Sequence, residues 1–304
     1  MNDYLFLDKK TLYHSLNPAV FLILFSVLIF LAFSLLNPTH LLALALGTIG
    51  ILGIARILKE WLAIYRMLFP FIVFLVLLNT IFVQSGATVL TRFSLPLLGN
   101  IRITLEALSY GLFMGLRFSI LSALFSLLTY VLNPDELYGL VRRFGEKPAL
   151  FILLSLRSFP LLLADYKNII EIQEARGMDF HSRKVFSRIK TLKPVMDHLL
   201  LQSLERSLGF SESLAVRGFG ANSRIVHYRK ASLKESDLLV LIQSVFLVTA
   251  YVMQKSLGDN LFNFYPRMDS IEARDFFWGV IMVISLTFPA MLMEVRKIEI
   301  FADK

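Results

Sequence analysis

The sequence predicts an all-α, polytopic membrane protein with about six hydrophobic helices and a helical cytoplasmic region. Three observations carry that prediction. First, 56% of the 304 residues are hydrophobic and 18% are charged, whereas roughly 25% of a soluble domain is charged; the mean hydropathy is +0.65. Second, the apolar residues fall in runs approaching the ~20 that a helix needs to cross a bilayer. Third, the net charge is nevertheless +8, and 17 of the 31 Lys and Arg residues lie in one 105-residue segment, 133–237. Apolar and basic residues are therefore separated along the chain. That pattern excludes disordered, collagenous, small disulfide-scaffold and ordinary soluble-enzyme classes. With no cysteine there is no disulfide framework, thiolate metal site or cysteine nucleophile.

The elements follow in chain order. The mixed residues ahead of the first apolar run do not read as a signal peptide, because no small-residue cleavage pattern follows that run. Ala19 to Leu36 is a first span of 18 residues without charge. Asn37-Pro38 breaks it, since proline disfavours helix in the preceding residue. His40 to Ala55 is a second, shorter run. Met67 to Val83 is a third, with Pro70 near its start, where a missing N–H is tolerated. Leu108 to Leu132 is a fourth and contains Arg117. Leu238 to Met253 and Phe276 to Met293 are a fifth and sixth. Ala149 to Ala164 is apolar but holds Arg157 and Pro160. An arginine at mid-bilayer costs about 2.5–3.5 kcal/mol on insertion scales, and proline breaks the hydrogen-bond ladder. This stretch is expected to lie against the membrane or other protein instead of crossing.

The chain thus divides into an N-terminal membrane part (1–132), a central segment (133–237) and a C-terminal membrane part (238–304). Six spans put residues 1–18, 56–66, 133–237 and 294–304 on one side, with 25 basic residues, against five on the other. Without the long segment, which counts little in the positive-inside rule, the balance is 8 against 5. Both termini and the central segment are therefore expected to be cytoplasmic. The central segment is rich in Leu, Lys, Arg, Glu and Ser, reads as three or four helices, and is too long for a connector.

Catalytic and cofactor signatures do not appear. There is no Gly-Lys pair, so no Walker A phosphate loop. There is no zinc helix of the His-Glu-x-x-His type and no Gly-x-Ser-x-Gly elbow. The five histidines, His14, His40, His181, His198 and His227, are scattered and none pairs at metal-ligand spacing. No metal site and no nucleic-acid partner are expected. Apart from Arg117 the spans carry no charge. An ion-driven carrier places ionisable groups in its bundle, so a self-sufficient secondary transporter is disfavoured.

Two segments of the central region repeat a pattern: Gln173-Glu174-Ala175-Arg176-Gly177-Met178-Asp179-Phe180 and Leu214-Ala215-Val216-Arg217-Gly218-Phe219-Gly220, their arginines 41 residues apart. About one Arg-Gly pair is expected by chance, so the match alone is unremarkable. Glycine after a helix is a common C-cap, and arginine there suits the negative end of the dipole. On composition alone the structural reading is favoured. The functional reading is geometric: a helix stopping at glycine presents its arginine at a tip, and a planar fork of donors suits a carboxylate or several carbonyls. Two matched tips suit a two-fold or pseudo-two-fold partner. Elsewhere, Gly111, Gly115, Ser119, Ser122 and Ser126 form a seam of small residues, as do Gly47, Gly50 and Gly53. Such seams let helices approach closely, by default within the chain. Arg117 lies on a different face from Gly115 and is expected to snorkel or meet a backbone carbonyl.

At these residues the sequence resembles the transmembrane T component of energy-coupling factor transporters, the CbiQ-like family. Arg176 and Arg217 match the arginines of its paired Ala-Arg-Gly motifs, which end two long cytoplasmic coupling helices. Tyr13-His14-Ser15-Leu16-Asn17-Pro18 resembles the family's opening stretch, with Asn17 in place of aspartate. Asn133-Pro134-Asp135-Glu136-Leu137 resembles its junction after a span. Leu156-Arg157-Ser158-Phe159-Pro160-Leu161-Leu162 resembles the helix ahead of the first motif. Val216 stands where the family favours alanine. The resemblance implies an energy-coupling subunit of an importer, with two ABC-type ATPase subunits and a substrate-binding S component as partners, in a bacterial or archaeal cell membrane. ATP and Mg would act on the partner ATPases, with no cofactor bound by this chain and no catalytic residue in it. The cargo would be a vitamin or a transition-metal ion. Ala175, Arg176, Gly177, Val216, Arg217 and Gly218 would couple to the ATPases. Arg157 and Pro160, on the apolar helix, would belong to a sliding surface for the S component, and Gly111, Gly115 and Ser119 to helix packing. The alternatives are a stand-alone polytopic membrane carrier and a membrane enzyme or scaffold with a basic lipid-facing region.

Overall fold

The computed structural model describes residues 11, 13–83, 85–95, 99–132, 146–178, 180, 185–218, 234–257 and 262–302. They form a short 3-10 turn (Tyr13–Ser15) and then α1 (Pro18–Ser34), α2 (Pro38–Ile54), α3 (Leu58–Phe82), β1 (Val89–Leu95), β2 (Gly99–Thr104), α4 (Leu105–Val131), α5 (Glu146–Ala175), α6 (Val185–Val216), α7 (Glu235–Ser256) and α8 (Ala273–Ala302). The chain divides into two compact units, Met1–Leu137 with Ala231–Lys304, and Tyr138–Lys230. The Asn133–Leu137 junction lies outside the described residues, as do Asp179, His181, Phe219, Gly220 and His227.

In the first unit, α3, α4 and α7 are long and apolar enough to cross a membrane. Helices α1 and α2 are apolar but shorter, at 17 residues each, and α8 carries the sixth apolar run within its 30 residues. The fold is all-α and polytopic, with one addition: β1 and β2 pair as an antiparallel hairpin, Arg92 opposite Arg102 and Phe93 opposite Ile101. The expectation of helices alone missed it, because seven and six residues give too short an alternation to register. Two boundaries also shift. Helix α3 starts at Leu58, so Lys59 and Arg66 are helical and not in a loop. Trp61 anchors that extra turn, buried and donating from Nε1 to Ser122 Oγ at 3.1 Å. Helix α7 outgrows its 16-residue apolar run because polar residues continue it at both ends, from Glu235 to Ser256.

Both Asn-Pro pairs are helix starts. Asn17 Oδ1 accepts from the Ala19 N–H and Asn37 Oδ1 from the Thr39 N–H, each at 3.1 Å, while Pro18 and Pro38 occupy the first helical turn. Side-chain oxygen at the N-cap satisfies a donor that the helix cannot, and proline lacks the N–H that would be orphaned there. The break foreseen at Asn37-Pro38 is therefore the α1–α2 turn.

Helix packing sorts by size more than by polarity. α2 packs on α8, α3 on α4, and α1 on both α4 and α7. Leu24, Leu28, Leu31, Leu44, Ile51 and Leu124 are buried, but Met67, Phe69, Phe71, Phe74 and Phe82 of α3 are exposed. Hydrocarbon solvates such a face, so no hydrophobic penalty attaches to it, and close approach of small residues becomes the device that brings helices together. Gly47 is the tightest case: a Cβ there would overlap Leu286 Cδ1 of α8, and one at Gly50 would stand 2.8 Å from Thr287 Cγ2.

Buried polar groups tie the ends of this unit together. Asp237, 1% exposed, accepts from the backbone N–H of Asn17 at 2.8 Å and of Lys234 at 2.9 Å. Burial also pushes the Tyr13 phenol well above its ordinary range, keeping it protonated. Asp237→Ala would remove the acceptor of two part-buried N–H groups, at about 0.5–1.5 kcal/mol each. We expect a clearly lowered thermal midpoint of the detergent-solubilised chain, with Asp237→Glu intermediate; an unchanged midpoint would mean the clamp is not stabilising.

In the second unit, α5 and α6 are single helices of 30 and 32 residues that pack on each other. The apolar stretch Ala149 to Ala164, expected as a helix, lies within α5. Helix α5 runs through Pro160, and α6 through Pro194. A proline deletes one hydrogen bond and bends a helix without ending it when the flanking turns are strong helix formers, here Leu161 to Ala164.

Candidate functional site: two arginine-bearing helix ends

Helices α5 and α6 end the same way. Helix α5 closes at Ala175, Arg176 follows, and Gly177 adopts φ +85°. The Gly177 N–H donates to Glu174 O at 2.9 Å and the Met178 N–H to Gln173 O at 3.1 Å. These are the two bonds of a Schellman cap, with Arg176 at the C-cap and glycine at the left-handed position after it. Helix α6 closes at Val216, Arg217 follows, and Gly218 adopts φ +73°. The Gly218 N–H donates to Ala215 O at 3.0 Å, the equivalent of the first bond. The left-handed region explains why glycine stands at both positions, since any L side chain there costs about 1–2 kcal/mol.

These ends are open. Ala175, Arg176, Gly177 and Arg217 are exposed, and Gly218 is half-buried. Val216 is 87% exposed. Among the described residues nothing lies within 4 Å of where a Cβ would sit on either glycine. Each arginine thus stands exposed at a helix C-terminus, where the macrodipole is negative. A single helix end with these properties is an ordinary cap. Two that share an exposed arginine, a left-handed glycine after it and the first cap bond form a matched pair.

The other sequence-singled residues fall elsewhere. Gly111 and Gly115 face α3: a Cβ at Gly111 would lie 3.2 Å from Val76 O, and one at Gly115 3.1 Å from Val76 Cγ2. Ser119 Oγ donates to Gly115 O at 2.9 Å and stands 3.5 Å from Tyr65 Oη. The seam therefore closes the α3–α4 contact. Arg157 and Pro160 are exposed on α5, among exposed Phe151, Leu156, Phe159 and Leu161. Arg117 meets a carbonyl: its Nη2 donates to Leu35 O at 2.6 Å, at the C-cap of α1, and its guanidinium lies 4.8 Å from the centre of the Phe113 ring. Both contacts offset the cost of a charge in the bundle. Among the described residues no group of three His, Asp or Glu is placed to hold a metal ion.

One pair in this region was not singled out from the sequence. Arg206 of α6 donates to Asp165 of α5 at 2.6 Å. The signal was available, since these two residues are also 41 apart.

Comparison with known proteins bears on the matched ends. The profile of the CbiQ family, described as cobalt transport protein, matches residues 9–228, a stretch that includes both helix ends. A chain named energy-coupling factor transporter transmembrane protein EcfT from Streptococcus equi is 27% identical over 255 residues, 80% of this chain and 92% of that one. The protein of the same name from Bacillus subtilis is 25% identical over 258 residues, covering 80% and 93%. That from Brevibacillus brevis is 28% identical over 241 residues, covering 75% and 87%.

Proposed function

The chain belongs to the CbiQ family as the transmembrane T component of an energy-coupling factor transporter, and from that premise we propose that α5 and α6 are its coupling helices. Arg176 and Arg217 each enter a groove of one of two ABC-type ATPase subunits, and Ala175, Gly177, Val216 and Gly218 shape the two tips. The ATPases bind ATP and Mg and carry the hydrolysis; this chain binds neither. Closure of the ATPases moves the tips, and the movement reaches a substrate-binding S component whose cargo is a vitamin or a transition-metal ion. The exposed apolar face of α5 around Arg157 and Pro160 is the surface along which that component slides. The central segment and both termini face the cytoplasm, where ATP is available.

The observation that carries this reading is the matched pair of capped, open helix ends. A deep arginine contact suits them because a guanidinium fork can satisfy several carbonyls or a carboxylate at once. Affinity purification of the chain from native membranes tests it. Two P-loop ATPases and a small hydrophobic protein are expected. Transport by vesicles containing this chain alone would instead favour a stand-alone carrier.

Gly177→Val and Gly218→Val are expected to lower ATPase retention several-fold each. No described residue lies within 4 Å of either Cβ position, so the cost is the left-handed backbone, about 1–2 kcal/mol, which reopens the cap and re-aims the arginine. Retention measured by co-purification at fixed salt checks this, and undiminished retention contradicts it.

A further inference from the structure

The two helices meet at an ion pair whose position is set by the same spacing as the tips. Arg206 Nη2 donates to Asp165 Oδ2 at 2.6 Å, with the side chains 36% and 15% exposed. Asp165 precedes Arg176 by eleven residues, and Arg206 precedes Arg217 by eleven. Both intervals are helical up to their final residue. At about 1.5 Å per residue, each arm from the pair to its arginine is about 16 Å long. Glu171 and Glu212 also stand at equivalent positions, five residues before each arginine.

We infer that Asp165 and Arg206 are positioning residues that pin the α5–α6 crossing midway between the two tips, so that a displacement of either arginine is shared equally by both arms. This rests on the coupling reading above. The reason for an ion pair at this place is register. Elsewhere the residues shielded from solvent include Ile169 and Ile170 of α5 and Leu199 and Val195 of α6, all apolar. Apolar contacts of this kind tolerate sliding of one helix along another, because the area lost on one side is regained on the other. A charge-assisted hydrogen bond at 2.6 Å does not: a shift of one helical turn, about 5.4 Å, breaks it. The pair therefore selects one crossing point among several of similar packing quality.

The test uses the full chain in two formats. The natural sequence has no cysteine, so Ile172→Cys and Ser213→Cys, exposed positions 41 apart, take spin labels specifically. In the solubilised chain, Asp165→Arg and Arg206→Asp are each expected to broaden or shift the label-to-label distance, and the double exchange to restore it. In the assembled transporter, each single variant is expected to lower uptake per ATP hydrolysed by about tenfold while still retaining the ATPases, with recovery to within about twofold in the double exchange. Unchanged distances in the single variants, unchanged uptake per ATP, or a double exchange no better than the singles overturns the inference. If the wild-type chain retains no ATPase, the coupling reading fails on its own, and the label distances alone decide the role of the pair.

Discussion

Arg176→Ala combined with Arg217→Ala is expected to abolish ATPase-driven uptake while leaving the chain inserted and folded. Both side chains are exposed, so their removal falls in the class of surface substitutions worth within about 0.5 kcal/mol of stability. At a docked interface the same removal takes away a charged, hydrogen-bonded anchor, which costs about 2–5 kcal/mol, or roughly 30-fold to several thousand-fold in affinity. Each single variant should weaken co-purification of the ATPases by at least tenfold, and under the proposed docking, with each tip in its own groove, the two losses should add. Substrate uptake by cells, ATPase co-purification and the thermal midpoint of the purified chain are the three readouts. Full uptake and full co-purification in the double variant would remove the coupling role from both tips.

Gly47→Val is expected to be the most damaging single change in the membrane unit. The new side chain would collide with Leu286 at the α2–α8 contact. Overpacking typically costs about 1–3 kcal/mol, and two helices held by a glycine seam have little slack to absorb it. Loss of monodisperse protein after detergent extraction is the measurement. Gly53→Val, in the same helix with nothing within 4 Å of its Cβ position, is the control and should extract normally. Leu286→Ala placed on Gly47→Val should recover part of the loss. Equal behaviour of Gly47→Val and Gly53→Val would show that the seam is not a tight contact.

How much of this was legible beforehand depends on the range of each signal. Apolar runs located the six hydrophobic helices because crossing a bilayer is a requirement of length and composition. Their ends were less legible. The start of α3 at Leu58 depends on Trp61 finding Ser122, a partner 61 residues away. The β1–β2 hairpin was missed because it is short. The clamp of Asp237 on Asn17 spans 220 residues, and nothing local marks Asp237 as its partner. The helix through Pro160 was legible from its apolar run, but its full length to Ala175 was not. Of the candidate site, the Arg-Gly pairs were visible as letters, yet only the left-handed glycines and the cap bonds make them equivalent objects. Arg117 was left between two outcomes, because the carbonyl that receives it belongs to a helix 82 residues earlier.

The α2–α8 seam also has a dimension in time. Gly47 and its partner Leu286 are separated by 239 residues. Ribosomes add about 5–20 residues per second, so the notch on α2 waits roughly 10–50 seconds for the side chain that fills it. During that interval Gly47 is without the side chain that packs on it. The contact between α2 and α8 therefore forms only after the intervening helices α3 to α7 have been made.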